Sequence, residues 1–308
     1  MKKVFISTTS FASFSKKPLE LLKSHNLKIK LNQMGRKLTT QEIRTSLSEC
    51  HGVIAGTELY DINTLQSLPN LKIISRLGVG LDNIDLDYTK KNDIAIYRTQ
   101  TTPAPAVAEL TLGLILDLLR KISYQNNLMK SGIWEKGMGQ LLSGKTLGII
   151  GLGTIGKKLV EITSGINLQY LAYDINEDRV FSEQNDIRYV MLEDIFTKSD
   201  IISIHLNLSN ETRHLIDYNA IKKMKKEIIL INTSRGEIIN EDALLEALNK
   251  KRMGGVGLDV FSNEPYKGDL LNFDNVITTP HIGAYAREIR TQMELEAAMN
   301  LVQGLKNE

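Results

Sequence analysis

A single cysteine, Cys50, occurs in 308 residues, so no intrachain disulfide can form. That fits a reducing cytoplasm, the expected location. No histidine-containing motif surrounds Cys50, and no His or Cys spacing resembles a zinc site, so neither a thiol nucleophile nor a bound metal is expected. No run of about 18 or more apolar residues occurs, which argues against a spanning helix. The N-terminal run Val4-Phe5-Ile6 is too short for a signal peptide. Neither sign of charge dominates. With 38 basic and 36 acidic residues the net charge is +2, which gives no field for nucleic acid. The densest basic patch, Lys222, Lys223, Lys225 and Lys226, reads as a solvated helix face.

What remains is an ordinary globular balance, 42% hydrophobic and 24% charged, in a chain long enough for two domains. Short apolar runs alternate with helical segments through the first hundred residues. Lys3–Ile6, Leu27–Leu31, Gly52–Ala55 and Leu71–Ser75 read as strands. Pro103 and Pro105 then precede a long apolar helix, Val107–Arg120, which must be buried on most faces. Alternation restarts with strands at Lys145–Ile150, Leu168–Tyr173, Asp200–His205, Ile228–Asn232, Gly255–Asp259 and Asn275–Thr279. Their nearly continuous apolar character suits parallel strands covered on both faces. Asn240 is placed to cap a helix running to Lys250, and the chain ends in an amphipathic helix from about 284 to 305. The expected fold is α/β, with two doubly wound parallel-sheet domains.

Gly151-Leu152-Gly153-Thr154-Ile155-Gly156 fits the dinucleotide-binding fingerprint, and it follows a strand and opens a helix, as the motif requires. Gly151 permits the tight turn, Gly153 lets backbone approach a pyrophosphate, and Gly156 allows helix and strand to pack closely. Backbone N–H groups at the helix start then face the phosphates. Asp174 closes the next strand, where a carboxylate accepts hydrogen bonds from ribose hydroxyls and repels a 2′-phosphate, so NAD is expected over NADP.

Three further residues stand beyond strand ends, where open α/β sheets gather ligands: Arg235, Glu264 and His281. Singly they also read as a surface cation, a turn residue and a helix-start residue. His205 ends a strand and reads equally as structural or as lining the cofactor cleft.

The segments Gly78–Asp85, Ala106–Glu109, Lys145–Gly156, Asn232–Gly236, Leu258–Phe261 and Pro280–Gly283, in this order, closely resemble the D-isomer-specific 2-hydroxyacid dehydrogenase family near its phosphoglycerate dehydrogenase branch. The resemblance implies a Rossmann-type NAD domain at 99–283 inserted into a flavodoxin-like substrate domain, 1–98 completed by 284–308. It implies a catalytic triad of Arg235, Glu264 and His281. It implies cofactor contacts from Gly151, Gly153, Ile155, Gly156, Asp174, Thr233, Ser234, Asp259, Gly283 and Ala284, with Asp259 on the nicotinamide carboxamide. The loop Gly78-Val79-Gly80 would offer N–H groups to a substrate carboxylate, with Arg235 as its cation and Arg76 at the place of a phosphate ligand. The loop Ala55–Leu59 lacks the arginine of phosphate-binding relatives. The implied reaction interconverts a D-2-hydroxy acid and its 2-keto acid, with 3-phosphoglycerate among the possible substrates. A homodimer through the helix after Pro105 and the Trp134 segment is implied as well. An NAD-sensing binding protein or corepressor of the same fold is the alternative from another class.

Overall fold

The computed structural model describes residues 1–306, whose strands pair in parallel within two separate sheets. The first holds β1 (Lys3–Ile6), β2 (Lys28–Leu31), β3 (Gly52–Ala55), β4 (Ile73–Arg76) and β5 (Ala95–Arg98) in the order β2-β1-β3-β4-β5. That is the flavodoxin-like order. The second holds β6 (Thr146–Ile150), β7 (Gln169–Tyr173), β8 (Ile187–Tyr189), β9 (Ile201–Ile204), β10 (Ile228–Asn232), β11 (Met253–Leu258) and β12 (Val276–Thr278). Its order, β12-β11-β10-β9-β6-β7-β8, is the doubly wound Rossmann order with one added edge strand.

The chain divides into two units, Met1–Pro103 with the segment from Tyr285 onward, and Ala104–Ala284. The crossing falls later than the expected break after residue 98. Residues 99–101 stay with the first unit because the Thr99 amide donates to the Arg76 carbonyl (3.2 Å) and the Thr101 amide to the Glu296 carboxylate (2.9 Å). On the return, Ala284 belongs to the second unit rather than the first.

The central strands follow from their residues. Val53, Ile54 and Ile74 in the first sheet, and Ile202, Leu230 and Ile231 in the second, are fully buried. Each such side chain contributes about 1.5–3 kcal/mol by leaving water. β5 and β8 were not anticipated from sequence. Both are edge strands, and their mixed or short sequences, Ala-Ile-Tyr-Arg and Ile-Arg-Tyr, lack the apolar run that a doubly covered strand requires. The helix Glu241–Asn249 begins as expected, with the Asn240 side chain accepting from the Ala243 amide at 3.0 Å. The helix Ala104–Arg120 packs within the second unit, while Leu110, Leu112, Leu116 and Leu118 stay only partly covered.

The closing helix, Arg287–Lys306, corrects the amphipathic reading. Its buried face includes Arg290 and Glu294 among Met293, Ala297, Ala298 and Leu301. The two charges pair at 2.9 Å, and Glu294 also accepts from the Ala12 amide at 2.8 Å. A buried ion pair on the inward face cancels the apolar periodicity there.

Candidate active site

The glycine turn has the geometry its sequence requires. Gly151 takes φ +95°, where a side chain is strained, and donates its amide to the Tyr173 carbonyl at 2.8 Å. A Cβ on Gly156 would lie 2.6 Å from the Gly151 carbonyl oxygen, so only glycine lets the helix Thr154–Thr163 start this close to β6. Gly153 is exposed, and nothing stands within 4 Å of where its Cβ would be. Open backbone at the first turn of a ten-residue helix is what a pyrophosphate needs. Asp174 follows β7, with Oδ1 accepting from the Asn176 amide at 2.9 Å. Ile155 is half-buried on the same turn. These residues fit a dinucleotide.

Arg235, Glu264 and His281 follow β10, β11 and β12, three adjacent parallel strands, so the topology gathers them on one edge of the sheet. The segment Asn232–Arg235 is organised by one side chain. Asn232 Oδ1 accepts from the Ser234 amide (3.0 Å) and hydroxyl (2.7 Å), and its Nδ2 donates to the Arg235 carbonyl at 2.8 Å. Thr233 Oγ1 lies 3.1 Å from Thr111 Oγ1 on the long helix. Arg235 Nη1 donates to the Ser234 carbonyl at 2.8 Å. A Cβ on Gly236 would fall 2.0 Å from the Phe261 carbonyl carbon, so the segment bearing Arg235 lies directly on the loop that leads to Glu264.

His281 Nδ1 stands 3.1 and 3.0 Å from the two Glu264 carboxylate oxygens. An ionised carboxylate only accepts, so Nδ1 carries the hydrogen and Nε2 is left to exchange a proton with a ligand. The His281 side chain is 34% exposed and that of Glu264 19%, so the pair is reachable yet partly shielded. His281 has φ +56°, which costs a residue other than glycine about 1 kcal/mol or more.

Asp259 holds that conformation. Only 1% exposed, it accepts from Thr279 Oγ1 (2.6 Å) and the Ile282 amide (2.8 Å) on Oδ1, and from the Gly283 amide (2.8 Å) on Oδ2. Burial pushes its carboxyl above the ordinary range, opposed by these donors and by the nearby His281. A carboxylate accepts about four hydrogen bonds, and these donors supply three of them. The clamp around His281 was not legible beforehand, and neither was the organising role of Asn232, although Asn followed by Thr-Ser is a known pattern for side-chain-to-backbone bonding.

In the first unit, Arg76 closes β4 beside the Gly78 loop. It is 7% exposed, and its Nη1 donates to the carbonyls of Leu77 and, at 3.5 Å, Ala55. Of the expected carboxylate-binding amides, that of Gly78 donates inward to the Arg76 carbonyl at 3.0 Å. His205 also turns inward, with Nε2 2.9 Å from Ser203 Oγ and a buried Nδ1.

Residues 112–283 match the family model described as D-isomer specific 2-hydroxyacid dehydrogenase, NAD binding domain. The chain is 38% identical to a hydroxypyruvate reductase of Thermotoga maritima over 79% of its own length and 81% of the relative's. It is 38% identical to a glyoxylate reductase of Thermofilum pendens over 82% and 77%. The structure of Aquifex aeolicus D-lactate dehydrogenase complexed with NAD and lactic acid superposes with a TM-score of 0.85, at 28% identity, over 99% of this chain and 96% of that one. With the glycine turn, Asp174 and the three strand-end residues in place, the chain belongs to the D-isomer-specific 2-hydroxyacid dehydrogenases, which are NAD-dependent enzymes.

Proposed function

We propose that this dehydrogenase reduces a short, unphosphorylated 2-keto acid of the glyoxylate or hydroxypyruvate class, with Arg235, Glu264 and His281 as its catalytic residues. The observation that carries the reading is the His281–Glu264 pair at 3.0 Å, on the sheet edge that also bears Arg235.

Bound NAD supplies the redox chemistry, giving or taking a hydride at the substrate's second carbon. Gly151, Gly153, Ile155, Gly156 and Asp174 would hold its phosphates and ribose. Thr233, Ser234, Asp259, Gly283 and Ala284 would line the nicotinamide end. Arg235 binds the substrate carboxylate through charge-assisted hydrogen bonds and polarises the adjacent carbonyl. His281 delivers a proton from Nε2 to the carbonyl oxygen as the hydroxy acid forms, and takes it back in the oxidative direction. Glu264 fixes the ring through Nδ1 and stabilises the imidazolium that precedes proton delivery. Val79 and Gly80 offer amides to the carboxylate.

Support for the small substrate comes from two sides. The reductases named above match most of their own length. The first unit turns Arg76 inward and has Gly56, not arginine, after β3, so neither of these positions offers a cation to a phosphate. NADH oxidation with glyoxylate, hydroxypyruvate, pyruvate and phosphohydroxypyruvate tests the reading. The unphosphorylated acids should turn over with the higher kcat/KM. A preference for phosphohydroxypyruvate would overturn the choice of substrate, and inertness toward all four would overturn the activity.

The assembly is a homodimer on the second unit. Trp134 is 80% exposed, Met138 87% and Leu141 72%, on the segment that follows the helix Ala104–Arg120 and its partly covered leucines. Apolar surface of this kind marks a contact. Sedimentation at micromolar concentration should give twice the chain mass, and Trp134→Glu should shift the species toward monomer.

A further inference from the structure

We propose that Arg76 and Glu58 are positioning residues, built beneath the loop Gly78-Val79-Gly80 to hold the Val79 and Gly80 amides open for the substrate carboxylate. The inference rests on the activity proposed above and adds how the first unit would recognise its ligand.

The loop leaves β4 in a conformation that its supports dictate. The Gly78 amide donates back to the Arg76 carbonyl at 3.0 Å, so it is committed inward. Among the described residues no acceptor stands at the N–H of Val79 or Gly80, and Val79 is 41% exposed. Adjacent unpaired amides in a tight turn form an anion-binding concavity.

What keeps them unpaired lies underneath. Arg76 folds back along its own strand end, with Nη1 on the Ala55 and Leu77 carbonyls. A Cβ on Gly78 would meet Nη1 at 2.8 Å, Cζ at 3.1 Å and Nη2 at 3.2 Å, so the guanidinium lies flat against the Gly78 backbone. Gly78 has φ +147°, which with that contact restricts the position to glycine.

Glu58 fixes the neighbouring turn after β3. Only 3% exposed, its Oε2 accepts from Ser7 Oγ (2.7 Å) and the Gly56 amide (3.0 Å). Asn83 Nδ2 ties that turn to the far end of the glycine loop, donating to the carbonyls of Gly56 (3.2 Å) and Glu58 (2.6 Å). Tyr60, fully buried, has Glu58 and Arg76 as its charged neighbours. From the outer side Arg98 Nη1 reaches the Val79 carbonyl at 3.4 Å, which adds positive charge beside the amides. Two buried charged side chains thus brace a loop that itself carries no anchoring side chain. Such investment is expected where backbone, rather than a side chain, must meet the ligand.

The test compares Arg76→Met, Arg76→Lys and Glu58→Gln with the wild type. KM and kcat are measured for hydroxypyruvate and phosphohydroxypyruvate, with NADH affinity and thermal melting as controls of folding. Wild-type turnover establishes the underlying activity first, so its absence would be read separately. A positioning role predicts that both Arg76 variants raise KM for the two acids by the same factor, about 10-fold or more, with kcat within about threefold and NADH affinity unchanged. Glu58→Gln, which keeps its length and one acceptor, should raise KM for both acids by about threefold or more. If Arg76→Met fails to fold, the lysine and glutamine variants carry the comparison. Loss confined to the phosphorylated acid, retained in Arg76→Lys, would make Arg76 a phosphate ligand and overturn the proposal. Unchanged KM in every folded variant would do the same.

Discussion

Both carboxylate oxygens of Glu264 lie within 3.1 Å of one nitrogen of His281, so the ring is held at Nδ1 and turned to present Nε2. The arrangement separates two duties that a solvated histidine could not combine, a fixed orientation and an exchangeable proton. His281→Ala should lower kcat by about 100-fold or more while NADH affinity stays within about twofold. Glu264→Gln keeps a hydrogen-bond acceptor for Nδ1 but loses the carboxylate's charge and its second acceptor oxygen, and should lower kcat by about 10-fold or more. Stopped-flow NADH oxidation with fluorescence titration of the cofactor separates the two effects. Equal turnover in both variants and wild type would remove the pair from the chemistry.

Arg235 is placed by Asn232 from below and by the close fit of Gly236 on Phe261, not by a long flexible excursion. If it binds the carboxylate, Arg235→Ala should raise KM for the keto acid about 10-fold or more and lower kcat as well, since the same cation polarises the carbonyl. Arg235→Lys should recover only part of the loss, because one ammonium cannot match a bidentate fork. A change in NADH affinity alone would place Arg235 on the cofactor instead.

Asp174 stands after β7 with its carboxylate partly exposed. It should set the cofactor preference through ribose hydrogen bonds and repulsion of a 2′-phosphate. Asp174→Ala is expected to lower the ratio of kcat/KM for NADH over NADPH by about 10-fold or more. An unchanged ratio would assign the discrimination elsewhere.

Much of this architecture was readable residue by residue. Ile228–Asn232 coincides with β10, and the glycine turn, Asp174 and the three strand-end residues all follow strands of one sheet. Those features are local. A doubly covered strand needs an unbroken apolar run, and a phosphate-facing turn needs glycine, whatever the rest of the chain does. What was not readable depends on partners distant in sequence. Asp259 clamps Ile282 and Gly283 only because β11 and β12 are neighbours. Arg76 stands at the place of a phosphate ligand only through the family resemblance, which says nothing of where its side chain packs. Its inward turn follows from the Ala55 and Leu77 carbonyls and the bare Gly78 backbone, which only the folded sheet brings under it. The closing helix hid its buried face for the same reason, since Arg290 and Glu294 satisfy each other there.

His205 gives a test of the core beneath the glycine turn. Its carbonyl oxygen would lie 2.7 Å from a Cβ on Gly151, so the residue sits directly under the cofactor loop. Burial pushes the imidazole down from 6.5 to about 4, because desolvation penalises the charged form. The folded state therefore binds its proton only near pH 4, whereas the unfolded chain binds it near pH 6.5. Between those values the unfolded state holds more protons, so stability falls as the pH is lowered through this window and levels off below it. A single such proton contributes a slope of about 1.4 kcal/mol per pH unit. The buried carboxyls of Asp259 and Glu294, both raised by burial, act in the opposite sense. Comparison with His205→Gln, which cannot titrate, isolates the histidine contribution. Urea unfolding from pH 7.5 to 4.5 should show wild type losing stability relative to the variant as the pH falls below 6.5. Parallel curves across that range would mean that the imidazole charges equally well in the folded protein, and hence that the space under the glycine turn is wet.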